Sequence, residues 1–576
     1  MDKHQVSAVL NEIGLLLELT GENPFKARAY YQAARSIGGL DGDLAALAAA
    51  GRLGEIPGLG PALREKVAVL AATGRLQYHE DLRAQVPPGL IAMLRVPGLG
   101  PKKIRTLHHG LGIVNLAELE TACREHRLQQ LPGFGAKTEL RILAGLEWLA
   151  RNRGRHLWHE AAAEAAALLD ALRADAMVAE ADVAGSIRRL REVVKDINLV
   201  AATDAPHRVA ERFAGLPGVD EVAAMGGTRV AVRLKSGIDA DLRLVAPGRF
   251  APALLHFTGS REHNAALRAI AKERGLELNE DGLFRGDELL PCASEEEIHR
   301  ALGLCYIPPE LREDLGELEA AAAGTLPDLV AVEGIRGALH VHTAASDGAA
   351  TLAEMAHAAA ALGWEYLGIA DHSQSAAYAG GLRPDALQKQ RDAIEAHNRA
   401  GGRPYLLFGI EAEIKPDGAL DYPEEILAGF DYVVASVHSH FGLDREAMTA
   451  RVIGALHNPY VTVLGHPTGR LLLEREGYAV DLEAVLAAAA EEGVAVEINA
   501  SPYRLDLDWR WCMRFRDKLR FWINPDAHGT AELGNLPYGI NTARKGWLTP
   551  DRVLNTWSLA DVRHLWRKQR EKAQTR

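Results

Sequence analysis

The sequence predicts a multidomain protein of α+β and α/β class, with helical N-terminal domains, a mixed central region and a C-terminal (β/α)7 TIM-like barrel. Its 576 residues exceed what one hydrophobic core usually organises. Apolar side chains recur at helical spacing in residues 1–150, for example at Val9, Ile13 and Leu16. From residue 336 onwards, strand-like and helix-like segments alternate instead, which is typical of a barrel of parallel strands.

The composition narrows the class of protein. Hydrophobic residues make up 48% and charged residues 25%, as in ordinary globular proteins. We expect no membrane span and no signal peptide, because no long apolar run occurs and the N-terminus is polar. Four scattered cysteines fit reduced thiols in a cytoplasmic protein. The net charge of −12 argues against nucleic-acid binding by bulk charge alone, and with no oligomerisation signal we expect a monomer.

A Pro-Gly-x-Gly turn occurs three times in the helical region, in 56–60, 96–100 and 131–135. Such a turn before a helix lets a phosphate approach backbone N–H groups. One copy alone would favour a plain connector between helices, but each copy here is followed by Lys or Arg. The turns therefore resemble helix-hairpin-helix motifs that hold the DNA backbone, with the candidate residues Gly58, Gly60, Gly98, Gly100, Lys102, Gly133 and Gly135.

The central region carries a Gly-Ser pair followed by acidic positions on strand-like runs. Gly185 and Ser186 precede Asp196-Ile197-Asn198, and Asp241 lies in a later run. Side chains two positions apart on a strand face the same side, so Asp196 and Asn198 are expected to share a face.

These segments resemble the palm and thumb of polymerase β-like (family X) DNA polymerases. The resemblance implies that Gly185, Ser186 and Arg189 hold a deoxynucleoside triphosphate, and that Phe257, Gly259 and Asn264 form the nucleotide pocket. It also implies a two-metal catalytic centre of Mg²⁺ or Mn²⁺ at the positions of Asp196, Asn198 and Asp241.

The sequence departs from the family pattern at the catalytic centre. Asn198 stands where the family has a second aspartate, and an amide provides no charge for a position between two cations. Lys195, immediately before Asp196, places a positive charge where a metal ion or the triphosphate would lie. We therefore expect polymerase activity to be weak, Mn²⁺-dependent or absent.

Lys66 follows the first hairpin. In several family X polymerases a lysine at this offset forms a Schiff base with an abasic sugar. The resemblance thus implies a possible lyase nucleophile, while the alternative is a lysine that faces a DNA phosphate.

The C-terminal region contains seven strand-like runs, and potential metal ligands follow their ends. Imidazole and carboxylate ligands together suit Zn²⁺, Mn²⁺ or Fe²⁺ better than Mg²⁺. The set is large enough for up to three ions, which we expect to be Mn²⁺ or Zn²⁺. A single histidine would more often be a core residue, but successive strand ends favour a metal centre. The expected ligands are His340, His342, Asp347, His372, Glu411, His438, His466, Asp526 and His528. The expected strands are 338–342, 366–370, 405–410, 432–437, 461–464, 494–498 and 520–523.

The ligand set resembles PHP-type phosphoesterases, and the order of parts resembles the bacterial PolX family. The resemblance implies a DNA repair enzyme with a 3′→5′ exonuclease in the PHP domain and a core that binds gapped or primer-template DNA or 3′ ends. Such a protein would be cytoplasmic and would associate with the nucleoid when bound to DNA. The implied domains are 5′-end binding (1–80), fingers (81–150), palm (151–250), thumb (251–320), a linker (321–335) and PHP (336–576).

Three alternatives remain open from the sequence. The chain could be a fully competent gap-filling polymerase in which Mn²⁺ tolerates Asn198. It could be a non-catalytic scaffold that binds DNA ends and holds structural metals. A barrel that cleaves a small phosphate monoester is a third possibility, which the fused hairpin motifs disfavour.

Overall fold

The computed structural model describes Met1, Lys3–Gly38, Leu40, Leu44–Ile56 and Gly58–Gln574, so Pro57 of the first hairpin lies outside the described residues. Across these ranges, no helix has both the length and the apolar character needed to cross a membrane. The chain forms two compact units. The first comprises Met1–Arg153, Asp347–Met355 and His528–Ala531, and the second Gly154–Ser346, Ala356–Ala527 and Glu532–Arg576.

The N-terminal part of the first unit is helical, as its apolar periodicity predicts. The side chains of Leu10, Ile13 and Leu16 are fully buried in its core, and Val9 packs against this core from a half-buried position. The helices are α1 (Lys3–Thr20), α2 (Pro24–Gly38), α3 (Leu44–Ala49), α4 (Pro61–Thr73), α5 (Gln77–Gln85), α6 (Pro88–Met93), α7 (Pro101–Leu111), α8 (Leu116–Arg124) and α9 (Ala136–Arg151).

The second unit begins with a five-stranded mixed sheet in the order β2-β4-β7-β6-β5. Strands β4 and β7 run parallel, and their register places Asn198 opposite Asp241. The elements are β1 (His156–Leu157), α10 (Trp158–Arg173), β2 (Glu180–Ala184), α11 (Gly185–Arg188), β3 (Val193–Val194), β4 (Asp196–Ala202), α12 (Pro206–Ala214), β5 (Val219–Met225), β6 (Arg229–Leu234) and β7 (Asp239–Val245).

A small helical and three-stranded segment follows the sheet. The carboxylate of Glu295 holds it together, because it accepts hydrogen bonds from Arg188 at 2.8 Å and from Arg312 at 2.6 Å. The elements are α13 (Phe250–Thr258), α14 (Arg261–Glu273), β8 (Glu277–Asn279), β9 (Gly282–Arg285), β10 (Glu288–Leu290), α15 (Glu295–Ala301) and α16 (Glu317–Ala323).

The C-terminal region forms a seven-stranded parallel sheet in sequential order, β11 to β17. A bridge between Val341 and Ala527 brings its first and last strands together, so the sheet is nearly closed. The predicted (β/α)7 barrel is thus confirmed, and each strand end lies within three residues of the expected position. The strands are β11 (Gly337–Val341), β12 (Tyr366–Ile369), β13 (Tyr405–Glu413), β14 (Tyr432–Ser436), β15 (Val463–Leu464), β16 (Ala495–Asn499) and β17 (Phe521–Asn524). The helices are α17 (Leu352–Ala361), α18 (Pro384–Arg399), α19 (Glu424–Leu427), α20 (Arg445–Leu456), α21 (Leu482–Glu492), α22 (Trp509–Phe515), α23 (Leu536–Lys545) and α24 (Leu559–Gln574).

Candidate metal centre and polymerase-like site

The C-terminal ends of the barrel strands bring the predicted ligands to one place. His340 lies in β11, Glu411 lies in β13, and His466 follows β15. All three are almost completely buried, with exposed fractions of 0%, 1% and 2%. Polar side chains are rarely buried to this extent unless they are paired or bind metal.

Glu411 is the centre of the cluster. Five imidazole nitrogens surround its carboxylate: His372 Nδ1 at 2.9 Å, His466 Nε2 at 3.0 Å, His438 Nε2 at 3.1 Å, His340 Nε2 at 3.2 Å and His342 Nε2 at 3.7 Å. Ligand atoms of three overlapping groups lie within 4.8 Å of one another. These groups are His340–His342–Glu411, His340–His466–Asp526 and His372–Glu411–His438.

The donor set fits bound metal ions. His466 Nδ1 is a buried ring nitrogen that makes no hydrogen bond, and His340 Nε2 lies between two carboxylates, 3.2 Å from Glu411 and 3.5 Å from Asp526 Oδ1. Imidazole and carboxylate ligands at such spacing are typical of transition-metal centres. The barrel therefore binds metal.

Carboxylates behind the cluster orient its histidines. Glu497 accepts a hydrogen bond from His340 Nδ1 at 2.6 Å, and Glu413 pairs with His438 Nδ1 at 2.9 Å. A carboxylate on the far ring nitrogen fixes which nitrogen is presented to a metal. Arg451 is fully buried and contacts Glu413 at 3.2 Å, which balances the charge of that carboxylate.

The same contacts shift the acidity of the cluster. Burial opposes the charged form of His438, but Glu411 and Glu413 outweigh it and raise the pKa of this imidazole to about 10. Burial likewise opposes charge on Glu411, but His438, His340 and His372 hold its pKa well below the usual range. The cluster without metal therefore holds protons that metal ions would replace.

Three residues of one ligand group have left-handed backbone conformations. His340, His466 and Asp526 have φ angles of 56°, 22° and 51°. Residues with side chains rarely adopt this left-handed region, at a cost of roughly 1–3 kcal/mol each. The strain aims three ligands from different strands at one another, which is a pattern found at functional sites.

Two further predicted ligands belong to the first unit. Asp347 and His528 approach each other with Oδ1 and Nε2 3.5 Å apart. The two chain segments that carry them are joined by a hydrogen bond from the N–H of Ala349 to the carbonyl of His528, at 2.6 Å.

The polymerase-like site has a different charge balance. Asn198 donates from Nδ2 to Asp196 Oδ1 at 2.8 Å, and Arg229 donates from Nε to Asp241 Oδ2 at 2.7 Å. Arg243 lies 3.3 Å from the other oxygen of Asp241. The carboxylates of Asp196 and Asp241 thus already have partners in the protein. The amide of Asn198 carries no charge that could bind two cations. These residues do not fit a two-metal centre well.

Residues expected to bind the nucleotide also contact other parts of the protein. Gly185 has a φ of 64° and begins α11 with Ser186 after it. Arg189 donates to the carbonyl of Thr258 at 2.8 Å and pairs with Glu313 at 3.1 Å.

Gly259 and Asn264 of the expected nucleotide pocket contact each other. Asn264 donates to the carbonyl of His256 at 2.6 Å, and a Cβ on Gly259 would lie 2.2 Å from Asn264 Oδ1. The ring of Phe257 has Arg243 at 5.0 Å from its centroid.

The three hairpins share one geometry. Gly58, Gly98 and Gly133 have φ angles of 80°, 79° and 82°, which glycine adopts without strain. The second glycine of each turn precedes α4, α7 or α9 without a side-chain cap, and a Cβ there would meet nothing within 4 Å. These second glycines are Gly60, Gly100 and Gly135. Each turn leaves room for a phosphate, and Lys102 is exposed beside the second.

Lys66 lies in a small aromatic cage. It donates to the hydroxyl of Tyr30, and its Nζ lies 3.8 Å from the centroid of the Tyr78 ring. Burial, with a smaller contribution from nearby Lys26, lowers the pKa of Lys66.

Glu497 and Arg229 are site residues that sequence reasoning did not identify. Glu497 is fully buried within the apolar strand β16, so a carboxylate inside a buried strand was the available signal. Arg229 reaches Asp241 through the pairing of β6 with β7, which the sequence does not display.

Comparison with known families covers most of these regions. The chain matches a helix-hairpin-helix domain over residues 1–76, a tandem of such motifs over 90–147, and the DNA polymerase beta thumb over 253–313. Residues 338–501 match the PHP domain.

Individual relatives agree with these matches. A probable phosphatase of Thermoanaerobacter sp. (strain X514) is 30% identical over 236 residues, 38% of this chain and 89% of that protein. A probable phosphatase of Edwardsiella ictaluri is 30% identical over 228 residues, 38% of this chain and 88% of that protein. The DNA polymerase/3′-5′ exonuclease PolX of Bacillus subtilis (strain 168) is 37% identical over 567 residues, 98% of this chain and 99% of that protein. The chain therefore belongs to the PolX family, the bacterial family X DNA polymerases that carry a C-terminal PHP domain.

Proposed function

We propose that the chain is a DNA repair enzyme whose barrel is a metal-dependent 3′→5′ exonuclease. The observation that carries this proposal is the buried carboxylate of Glu411 with five imidazole nitrogens within 3.7 Å. Imidazole and carboxylate groups buried together in this arrangement favour bound metal ions. The similarity to the Bacillus subtilis DNA polymerase/3′-5′ exonuclease PolX supports the same proposal.

The barrel residues would hold up to three Mn²⁺ or Zn²⁺ ions. His340, His342, Glu411, His372, His438, His466 and Asp526 are the proposed ligands of the second unit. Asp347 and His528, which belong to the first unit, are proposed as ligands from the sequence. Bound ions would supply an activated water and neutralise the charge of a phosphodiester. Glu497 and Glu413 keep the ring nitrogens of His340 and His438 aimed inward.

The polymerase-like core would position DNA for this chemistry. The uncapped helix starts after Gly60, Gly100 and Gly135 suit phosphates of gapped or primer-template DNA. Asp196, Asn198 and Asp241 would give weak or Mn²⁺-dependent gap filling with deoxynucleoside triphosphates. Gly185, Ser186, Arg189, Phe257, Gly259 and Asn264 would contact the nucleotide. We place the domain boundaries at residues 80, 150, 250, 320 and 335, and expect a cytoplasmic monomer associated with the nucleoid when DNA is bound.

Lys66 is the proposed nucleophile for an abasic 5′ end. Its lowered pKa increases the fraction of neutral amine, which attacks the sugar aldehyde and releases water as the imine forms. Borohydride reduction should trap the protein on abasic DNA. Lys66→Ala should remove the trapped product, whereas trapping that persists in this variant would assign the reaction elsewhere.

A gel assay tests the main proposal. A 5′-labelled primer in a gapped duplex is incubated with the protein and Mn²⁺, with and without deoxynucleotides. We expect shortening without nucleotides, which is lost in the double variant His340→Ala/His342→Ala. A primer that stays bound but neither shortens nor grows would support a non-catalytic scaffold instead.

A small-molecule phosphatase is a second candidate, because relatives named probable phosphatases match the barrel region. Release of phosphate from p-nitrophenyl phosphate, measured beside the gel assay, separates the two. The exonuclease proposal predicts that 3′-terminal nucleotides of DNA are the better substrate by kcat/KM.

A further inference from the structure

A large aromatic side chain lies exposed beside the metal centre. Tyr378 is 65% exposed, and its ring centroid is 6.0 Å from that of His372, a proposed ligand. A tyrosine ring exposed beside a metal centre is available to stack on a flat group of a ligand bound there.

The loop that carries Tyr378 is well anchored. The N–H of Leu382 donates to the carbonyl of His372 at 2.8 Å, and the N–H of Ser373 donates to the carbonyl of Glu411 at 3.0 Å. A Cβ on Gly381 would lie 1.9 Å from the carbonyl oxygen of Ser373, so only glycine allows this close packing. The loop is therefore pinned to the same strand that carries the central carboxylate, and little order must be gained when a ligand binds.

An open cavity of about 390 Å³ lies along this loop. The residues that line it include Gln374, Ala377, Gly380, Arg383 and Asp385, and Tyr378 follows Ala377 in the same loop. The volume falls in the range of small-molecule sites, roughly 300–1,000 Å³. The guanidinium of Arg383 suits a phosphate, and the exposed ring of Tyr378 suits a flat base.

We propose that Tyr378 and this cavity form the subsite for the 3′-terminal nucleotide, with the tyrosine ring stacked on its base. This inference rests on the proposed exonuclease function of the barrel. Every base has a π-face, so stacking accepts all four. An exonuclease that removes successive nucleotides needs a contact of this sequence-tolerant kind. Tyr378 is thus a binding residue whose ring, rather than its hydroxyl, makes the contact.

The test compares two single-stranded substrates that differ only at the 3′ end. One ends in a normal nucleotide and the other in a tetrahydrofuran abasic residue, which has no base to stack. On the normal end, Tyr378→Ala should raise KM roughly ten-fold, the loss expected for one base–aromatic contact. On the abasic end the wild-type protein and Tyr378→Ala should have the same KM.

Two variants control the experiment. Tyr378→Phe keeps the ring and should restore the wild-type KM. Leu362→Ala removes another exposed apolar side chain, 49% exposed and outside the loop, and should change neither substrate. An equal loss of activity on both ends would show a general role for Tyr378 and overturn the stacking subsite, as would a Tyr378→Ala protein with unchanged KM. A wild-type protein that shortens neither substrate would instead overturn the exonuclease function itself.

Discussion

The polymerase-like site lacks one negative charge because Asn198 is an amide rather than a carboxylate. Its amide donates to Asp196 at 2.8 Å, and Arg229 and Arg243 neutralise Asp241. The site is therefore balanced by protein groups rather than arranged to attract cations.

Replacing Asn198 with aspartate is expected to increase Mn²⁺-dependent primer extension. A second carboxylate restores a charged ligand between the metal positions, and we expect a gain of at least about ten-fold, equivalent to about 1.4 kcal/mol of transition-state stabilisation. Single-nucleotide insertion into a gapped duplex measures the gain. A wild-type rate equal to that of Asn198→Asp would show that the amide is tolerated and would favour the fully competent polymerase.

His438 links metal binding to pH. Without metal its pKa is raised to about 10 by Glu411 and Glu413, so it is protonated at neutral pH. A metal ligand must be neutral imidazole, so binding must release this proton, and affinity should increase as pH rises towards 10. Titration calorimetry with Mn²⁺ in buffers of different ionisation enthalpy should detect proton release at pH 7.5. Binding without proton release would contradict the assignment of His438 as a ligand.

At the scale of elements, Glu295 connects α11 with α15. It is 6% exposed and bonded to Arg188 and Arg312. Burial opposes its charge, but the two guanidinium groups dominate and lower its pKa to about 2. Because the folded pKa lies below the ordinary value of 4.5, this stabilisation is present above pH 4.5 and is lost as pH falls towards 2.

Glu295→Gln is expected to destabilise the segment by about 3 kcal/mol at pH 7, because two buried cations lose their carboxylate. The difference from wild type should shrink as pH falls from 4.5 towards 2. Hydrogen exchange of α15 amides reports this segment without assuming a single transition for a multidomain chain. Glu296→Gln, at an exposed neighbour, is the control. Equal protection in Glu295→Gln and the control would contradict the role of the ion cluster.

The strands of the barrel could be predicted because buried parallel strands are continuous apolar runs. The clustering of histidines and carboxylates could be predicted because these residues follow those runs. Glu497 could not be assigned a role, since its partner His340 is 157 residues away in the sequence. Arg229 reaches Asp241 only because β6 pairs with β7 in the register that sets Ala231 opposite Asp241. Contacts between residues far apart in the sequence depend on the tertiary structure, so the sequence pattern alone does not predict them.

At the scale of the whole molecule, the palm-like sheet and the barrel share one compact unit. Lys545 of the barrel is 1% exposed and donates to the carbonyl of Arg189 at 3.0 Å and to Glu313 at 2.7 Å. Trp509 donates from its indole to Glu192 at 3.1 Å. Buried polar contacts of this kind fix the two parts in register, so the segment expected to bind nucleotides is braced by the nuclease-like barrel.

The central claim is that metal ions held by the barrel cleave DNA 3′ ends. The most direct measurement loads the metal-stripped full-length protein stepwise with Mn²⁺ and records bound metal and the rate of 3′-nucleotide release together. We expect no release from the stripped protein, a rate that rises with bound metal, and loss of both metal and rate in Glu411→Gln. The variant Asp196→Ala should keep the nuclease rate. Nucleotide release that is independent of metal content, or lost in Asp196→Ala but retained in Glu411→Gln, would contradict a nuclease centred on the barrel.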